Sequence, residues 1–167
     1  MGMYAQYLMV SDETLTKMKT LNNKDLMIKI DELTNGDSEI YDIDKLWDGL
    51  HFLLTGASAS KPIESNPLSE AITGVRTFLN DENADFISYI CINELSIISS
   101  VLKTVDIEKL KNDFDPQKFH QANIYPDIWQ YEEEDDLLEE LLDHFDGLKE
   151  FYAQAAHEKK NIIVGIF

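Results

Sequence analysis

The segment DKLWDGLHFLLTGAS, residues 44–58, decides the fold because it predicts a helix that is buried on nearly every side. At about 100° per residue, a helix of this sequence has one broad apolar face and one polar stripe. The apolar face carries Leu46, Trp47, Leu50, Leu53 and Leu54, with Phe52 on its flank. The stripe carries Asp48, His51 and Thr55, since residues three and four apart lie on the same side of a helix. We predict that Asp44 caps this helix.

The polar stripe has two interpretations. In the functional one, Asp48 orients His51, which then acts as a general base or ligand. Ser58 or Ser60 in the following loop supplies the nucleophile. In the structural one, His51 and Thr55 bond to neighbouring backbone, because unpaired polar groups are costly in an apolar interior. We favour the structural interpretation, since no flanking residue turns the Asp–His pair into a known catalytic motif.

The rest of the chain predicts a small sheet surrounded by helices. Strands are predicted in GMYAQYLMVS (2–11), DFISYICI (85–92) and NIIVGIF (161–167). Helices are predicted after the capping residues Ser11 or Asp12, Asn66, Asn93, Asp106 and Asp115, with Pro67 and Pro116 at the first helical positions. Two further helices are predicted over 24–33, up to Asn35-Gly36, and over 132–159. We expect the first and last strands to pair. The predicted fold is therefore a helix-rich α+β domain over residues 1–167, with a small mixed sheet that includes the N- and C-terminal strands.

Composition narrows the classes of partner and location. The 167 residues carry a net charge of −18, from 14 basic and 32 acidic residues, so a nucleic acid is a poor partner. No apolar run approaches the roughly 20 residues that span a bilayer, and no leader is recognisable, so we expect a cytoplasmic protein without a membrane partner. The single cysteine, Cys91, excludes an internal disulfide or a thiolate-rich zinc site, and we expect it to be buried.

No phosphate-binding, dinucleotide-binding, nucleophile-elbow, zincin or EF-hand motif occurs in the sequence. We therefore expect no cofactor and no metal site. The last predicted helix is amphipathic, and it begins with the acidic run Glu132, Glu133, Glu134, Asp135 and Asp136. Acids near a helix N-terminus stabilise its dipole, but the excess predicts a docking surface for a basic partner. Trp47 and Trp129 are read as packing residues, or alternatively as walls of a binding site, and the aromatics of NIYPDIW (123–129) as exposed or half-buried.

With these segments in view, the chain resembles the YfbM-like family of uncharacterised bacterial proteins. The resemblance is carried in order by the MGM start, DIDKLWDGLHFLLTG (42–56), NPLSEAITG (66–74), IYPDIW (124–129) and the final helix and strand. Its most specific part is Trp47, Leu50-His51-Phe52 and Thr55-Gly56. The resemblance implies a compact intracellular α+β domain. It implies no activity, cofactor or catalytic residue.

Two functions stay open from the sequence. The leading hypothesis is a non-enzymatic interaction protein for a basic partner, for example as an inhibitor that neutralises a toxin. The alternative is a small hydrolase or ligand-binding enzyme with a pocket around Asp48, His51 and Thr55, with Ser58 as a further candidate. A homodimer is also compatible with the sequence.

Overall fold

The computed structural model describes residues 2–167 and confirms the predicted α+β class. The helices are α1 Asp12–Met18, α2 Asn23–Thr34, α3 Trp47–Thr55, α4 Pro67–Thr73, α5 Ile92–Lys103, α6 Ile107–Asp113, α7 Pro116–Gln121 and α8 Glu134–Glu158. The strands are β1 Ala5–Val10, β2 Ile40–Ile43, β3 Arg76–Thr77, β4 Phe86–Ile90 and β5 Asn161–Ile166.

The strands form one sheet in the order β2-β1-β5-β4-β3. The predicted pairing of the terminal strands is confirmed, with a register that runs from Ala5↔Ile166 to Val10↔Asn161. The sheet was expected to be mixed, but every pairing in residues 2–167 is antiparallel. The reason is that the chain returns from α8 so that β5 runs against both of its neighbours, β1 and β4.

Both faces of the central strands are covered by helices. Side chains alternate between the faces of a strand, so Tyr7 and Met9 enter one core while Leu8 and Val10 enter the other. Helices α1 and α2 cover the second core, which is the smaller one. Helices α3, α5 and α8 contribute to the first and larger core. The chain therefore has three layers, and α3 lies deep in the thicker one.

Most predicted helix starts are confirmed by side-chain capping. Backbone N–H groups in the first turns of α1, α4, α6 and α7 donate to Ser11, Asn66, Asp106 and Asp115, respectively. The predicted cap at Asp44 is wrong, because α3 begins at Trp47 with Leu46 in the capping position and no side-chain cap. Helix α8 begins at Glu134, two residues later than predicted.

The predictions about the start of α5 and about the burial of Cys91 need correction. Helix α5 begins at Ile92, and the Glu94 carboxylate accepts the Cys91 N–H at 3.0 Å, so Asn93 is not the cap. This places Cys91 at a helix start, partly exposed instead of buried. No strand was predicted at β2 or β3, which are short strands at the two edges of the sheet. Both lack the continuous apolar run that marks a central strand.

Candidate functional site

Asp48 lies on the inner side of α3, and its carboxylate accepts hydrogen bonds from two loops. Its side chain is 4% exposed. The Ala59 N–H and the Ser58 hydroxyl donate to Oδ1 at 2.7 and 3.0 Å, and the Tyr125 N–H donates to Oδ2 at 2.9 Å. Asp48 therefore joins α3 to the loop that follows it and to a segment 77 residues further along the chain. Its hydrogen-bonding capacity is used within the fold.

His51 is 0% exposed, and both of its ring nitrogens have fixed partners. Nδ1 lies 2.7 Å from the Ala57 carbonyl oxygen, and Nε2 lies 2.7 Å from Ser69 Oγ. A carbonyl only accepts, so Nδ1 carries the proton, and Nε2 of the neutral ring accepts from the Ser69 hydroxyl. Burial lowers the pKa of His51, although the Ala57 carbonyl and the Asp48 carboxylate act in the opposite direction. The ring is therefore neutral in one tautomer.

Ser69 completes this network, although no sequence pattern indicated it. Its side chain is fully buried, and its Oγ accepts the Ile63 N–H at 2.9 Å while donating to His51. The other stripe residue, Thr55, donates to the His51 carbonyl oxygen at 2.8 Å, as the structural interpretation expects. The sequence signal for Ser69 is weak, because a serine in the first turn of a short helix is ordinary.

The arrangement joins a serine to a histidine but does not favour catalysis. A general base must reach a substrate proton, whereas both His51 nitrogens already bond to the protein. The candidate nucleophile Ser58 contacts Asp48 and the hydroxyl of Ser60, at 2.9 Å, instead of His51. In residues 2–167, the hydroxyl bonded to His51 Nε2 belongs to Ser69, which is shielded from solvent.

Trp47 and Trp129 both lie in the larger core. The Trp129 side chain is 3% exposed, and its Nε1–H donates to the Ile124 carbonyl at 2.7 Å. Its ring lies 4.5 Å from that of Phe119. The expectation of an exposed or half-buried ring at this position is therefore wrong. Trp47 donates to the Met3 carbonyl at 3.3 Å, so both indole N–H groups have protein partners.

The acidic run lies on the surface at the start of α8. We define the acidic turn as residues 131–136, which comprise Tyr131 and the five carboxylates that follow it. All six residues are exposed, and Tyr131 is 76% exposed. In the part of the chain that the structure describes, none of these carboxylates forms an ion pair. Tyr131 was not predicted as a site residue, although it directly precedes the acidic run in the sequence.

Two other features, a metal-binding cluster and a membrane-spanning helix, are absent from residues 2–167. The side chains of His, Cys, Asp and Glu form no group of three or more that could hold a metal ion. No helix in these residues has both the length and the apolar character needed to cross a bilayer. The acidic turn and the α3 network are thus the two candidate sites.

The sequence over residues 1–165 matches the family described as Domain of unknown function (DUF1877). The chain belongs to the DUF1877 family. It is 32% identical over 133 residues to protein YfbM of Escherichia coli strain K12, which covers 80% of this chain and 78% of that protein. The resemblance stated from the sequence is therefore confirmed.

The fold is shared with a crystal structure described as a protein of unknown function, YfbM, from Escherichia coli. The TM-score is 0.79 at 24% sequence identity, and the match covers 98% of this chain and 99% of that chain. This similarity concerns the fold of the DUF1877 domain.

Proposed function

We propose that this chain is a cytoplasmic, non-enzymatic binding module whose partner is a basic protein contacted through the acidic turn. The observation that carries the proposal is the set of five consecutive exposed carboxylates with no ion-pair partner in residues 2–167. A partner that brings Lys and Arg residues to these carboxylates is attracted and oriented by the complementary charge. One concrete form is an inhibitor that covers a basic toxin.

The acidic turn combines long-range attraction with a specific contact. The net charge of −18 attracts cationic surfaces and repels nucleic acid and anionic membranes. Tyr131 adds an exposed aromatic ring, and aromatic residues are enriched among the residues that dominate binding energy. A ring of this kind also binds Lys or Arg over its face. The same charge opposes a homodimer through this surface, because two acidic turns would face each other.

Part of the acidic run has an ordinary explanation, and part does not. Glu134, Asp135 and Asp136 lie in the first turn of α8, where negative charge stabilises the helix dipole. Glu132 precedes the helix, and Glu133 occupies the capping position without a side-chain cap bond. These two residues therefore carry the interaction hypothesis most directly, because the helix does not need them.

The alternative is an enzyme with a pocket around Asp48, His51 and Thr55. The closed network on α3 weighs against it, because a substrate would have to break bonds that hold two loops. A cleft over an accessible imidazole would be expected of such an enzyme. The binding proposal needs no such rearrangement.

The proposal is tested with Glu132→Gln/Glu133→Gln, which removes two charges and leaves α8 intact. The purified full chain is immobilised and exposed to a lysate of its source organism, and retained proteins are quantified over a salt series. Loss of two surface ion pairs worth about 0.2–1 kcal/mol each predicts roughly two- to thirtyfold weaker retention of a basic protein. Retention should also fall steeply as salt shortens the range of these interactions.

The matched control is Asp37→Asn/Glu82→Gln. It removes the same charge from exposed residues of the α2–β2 and β3–β4 connections. Equal losses in both double variants would show a non-specific charge effect. Retention that depends neither on the salt concentration nor on the charges of the acidic turn would refute the proposal.

A further inference from the structure

A groove lies between α6 and α8, next to the acidic turn. It has a volume of about 350 Å³. Its apolar part is formed by Ile107, Leu138 and Leu142. Its carboxylates are Asp135, Glu139, Asp143 and Asp146, and its one lining cation in the described chain is Lys111. The groove thus has an apolar floor and an acidic rim.

The acidic rim has a regular spacing. Asp135, Glu139 and Asp143 follow one another at intervals of four residues, so they lie along one side of α8. At 1.5 Å per residue the row is about 12 Å long. None of the three forms an ion pair in residues 2–167, whereas Asp146 is 3.1 Å from Lys149. The row is therefore an unneutralised line of charge.

The apolar floor contains a leucine that the fold does not use. Leu138 and Ile107 pack against the larger core. Leu142 is partly exposed and belongs to neither core cluster in the described residues. Covering such a side chain is favourable because it removes apolar surface from water. A partner that covered Leu142 would add this gain to its pairing with the rim.

We propose that this groove binds a basic amphipathic helix of the partner protein. This inference rests on the proposed function and identifies the shape of the partner. Apolar side chains of the bound helix cover Leu142, while its Lys and Arg residues face the carboxylate row. A basic helix is complementary to the rim, which has three unpaired carboxylates and a single lysine that already pairs with Glu108 at 3.4 Å.

A helix fits this position better than an extended segment. The groove lies between two helices and offers no strand edge, so an extended peptide would leave its backbone N–H and C=O groups without protein partners. A helix satisfies its own backbone and places its side chains every three or four residues. Its Lys and Arg residues would then match the four-residue spacing of the rim.

The probe is a synthetic peptide of about 15 residues, long enough for a helix to form on binding. It contains only Leu and Lys, with leucines at positions i, i+3, i+4 and i+7 to make one apolar face. A second peptide has the same composition in scrambled order. Fluorescence anisotropy with the full chain measures both affinities. We expect the patterned peptide to bind about tenfold more tightly than the scrambled one.

Two variants test the two parts of the groove. Glu139→Lys reverses a rim charge, and Leu142→Ser removes the exposed apolar surface. Each is expected to weaken binding of the patterned peptide by about tenfold. The matched controls are Glu150→Lys, on the same helix but outside the groove, and Ile97→Ser, at an exposed position of α5. Both controls are expected to stay within about twofold of the parent chain. Thermal melts verify that all four variants are folded.

Several results would overturn the inference. Equal binding of the patterned and scrambled peptides, or equal losses in Glu139→Lys and Glu150→Lys, would show attraction by net charge alone. Displacement of the peptide by spermidine with no effect of Leu142→Ser would indicate a small polycation. A salt-sensitive dimer lost in Glu139→Lys would indicate a second copy of the chain.

The result also separates this inference from the proposed function. If the groove variants bind normally while Glu132→Gln/Glu133→Gln still loses its basic partner from lysate, only the groove inference fails. If the acidic-turn variant also retains its partner, both fail.

Discussion

Replacing Asp48 by asparagine tests whether the α3 network is structural. The carboxylate accepts from Ala59, Ser58 and Tyr125 while nearly excluded from solvent. An asparagine has one acceptor oxygen, so at least one buried backbone N–H would face an amide NH₂ group. Losing one hydrogen bond to a charged group and leaving its donor unpaired costs about 2–4 kcal/mol in total.

The assay is urea unfolding together with a thermal melt at neutral pH. For a domain of this size, the expected loss corresponds to roughly 4–16 °C in melting temperature. Amide hydrogen exchange adds a local readout, because the N–H groups of Ala59 and Tyr125 should exchange faster if their acceptor is lost. The matched control is Asp44→Asn, the same change at an exposed position four residues earlier.

A loss in Asp48→Asn below about 0.5 kcal/mol would refute the reasoning, because changes of that size are typical of surface positions. The same conclusion would follow if Asp44→Asn lowered the free energy of unfolding as much as Asp48→Asn does. Unchanged exchange at Ala59 and Tyr125 would show that the carboxylate is not their essential acceptor. Ser58→Ala should cost less than Asp48→Asn, because it leaves both backbone donors paired.

Three further predictions concern the same core. Burial lowers the pKa of His51 below its unfolded value, so the free energy of unfolding should fall as the pH drops below about 6.5, by at most about 1.4 kcal/mol per pH unit for this proton. His51→Gln should reduce that slope in pH-dependent urea titrations, and an unchanged slope would contradict the assignment. His144, whose pKa burial also lowers, contributes to the slope that remains. Gly49→Ala should destabilise the chain by about 1–2 kcal/mol in urea, because the added methyl would lie 2.5 Å from Trp129 Cη2, and a gain in stability would contradict this packing. Acrylamide should quench Trp47 and Trp129 only weakly in the folded chain, and efficient quenching would place a ring at the surface.

Sequence patterns predicted the elements that are long or strongly apolar. The last strand was predicted from the continuous apolar run at 161–167, and the observed β5 is buried along most of its length. Its pairing with the first strand was expected because both termini of a small domain are commonly held in one sheet. Strand β2 has four residues and β3 has two, too few for an alternating pattern to emerge. The prediction that Asp44 caps α3 was wrong because residues of the capping type are common in any sequence. Tertiary packing sets where α3 begins.

The stripe on α3 was predictable, but its partners were not. Helical spacing placed Asp48, His51 and Thr55 on one side because that relation is local. The hydrogen-bond partners of His51 and Asp48 include Ala57, Ser69 and Tyr125. Only the folded chain brings these residues together. The exposure of Glu132–Asp136 followed from charge alone, whereas the groove beside α8 depends on the placement of α6.

The position of β5 in the sheet has a consequence for synthesis. This strand lies between β1 and β4, yet it is the last of the five to leave the ribosome. Until then, β1 and β4 each expose an edge with unpaired backbone groups, which is the kind of edge that aggregates. The nascent chain must therefore hold these apolar strands apart from other chains while it awaits its own C-terminal segment.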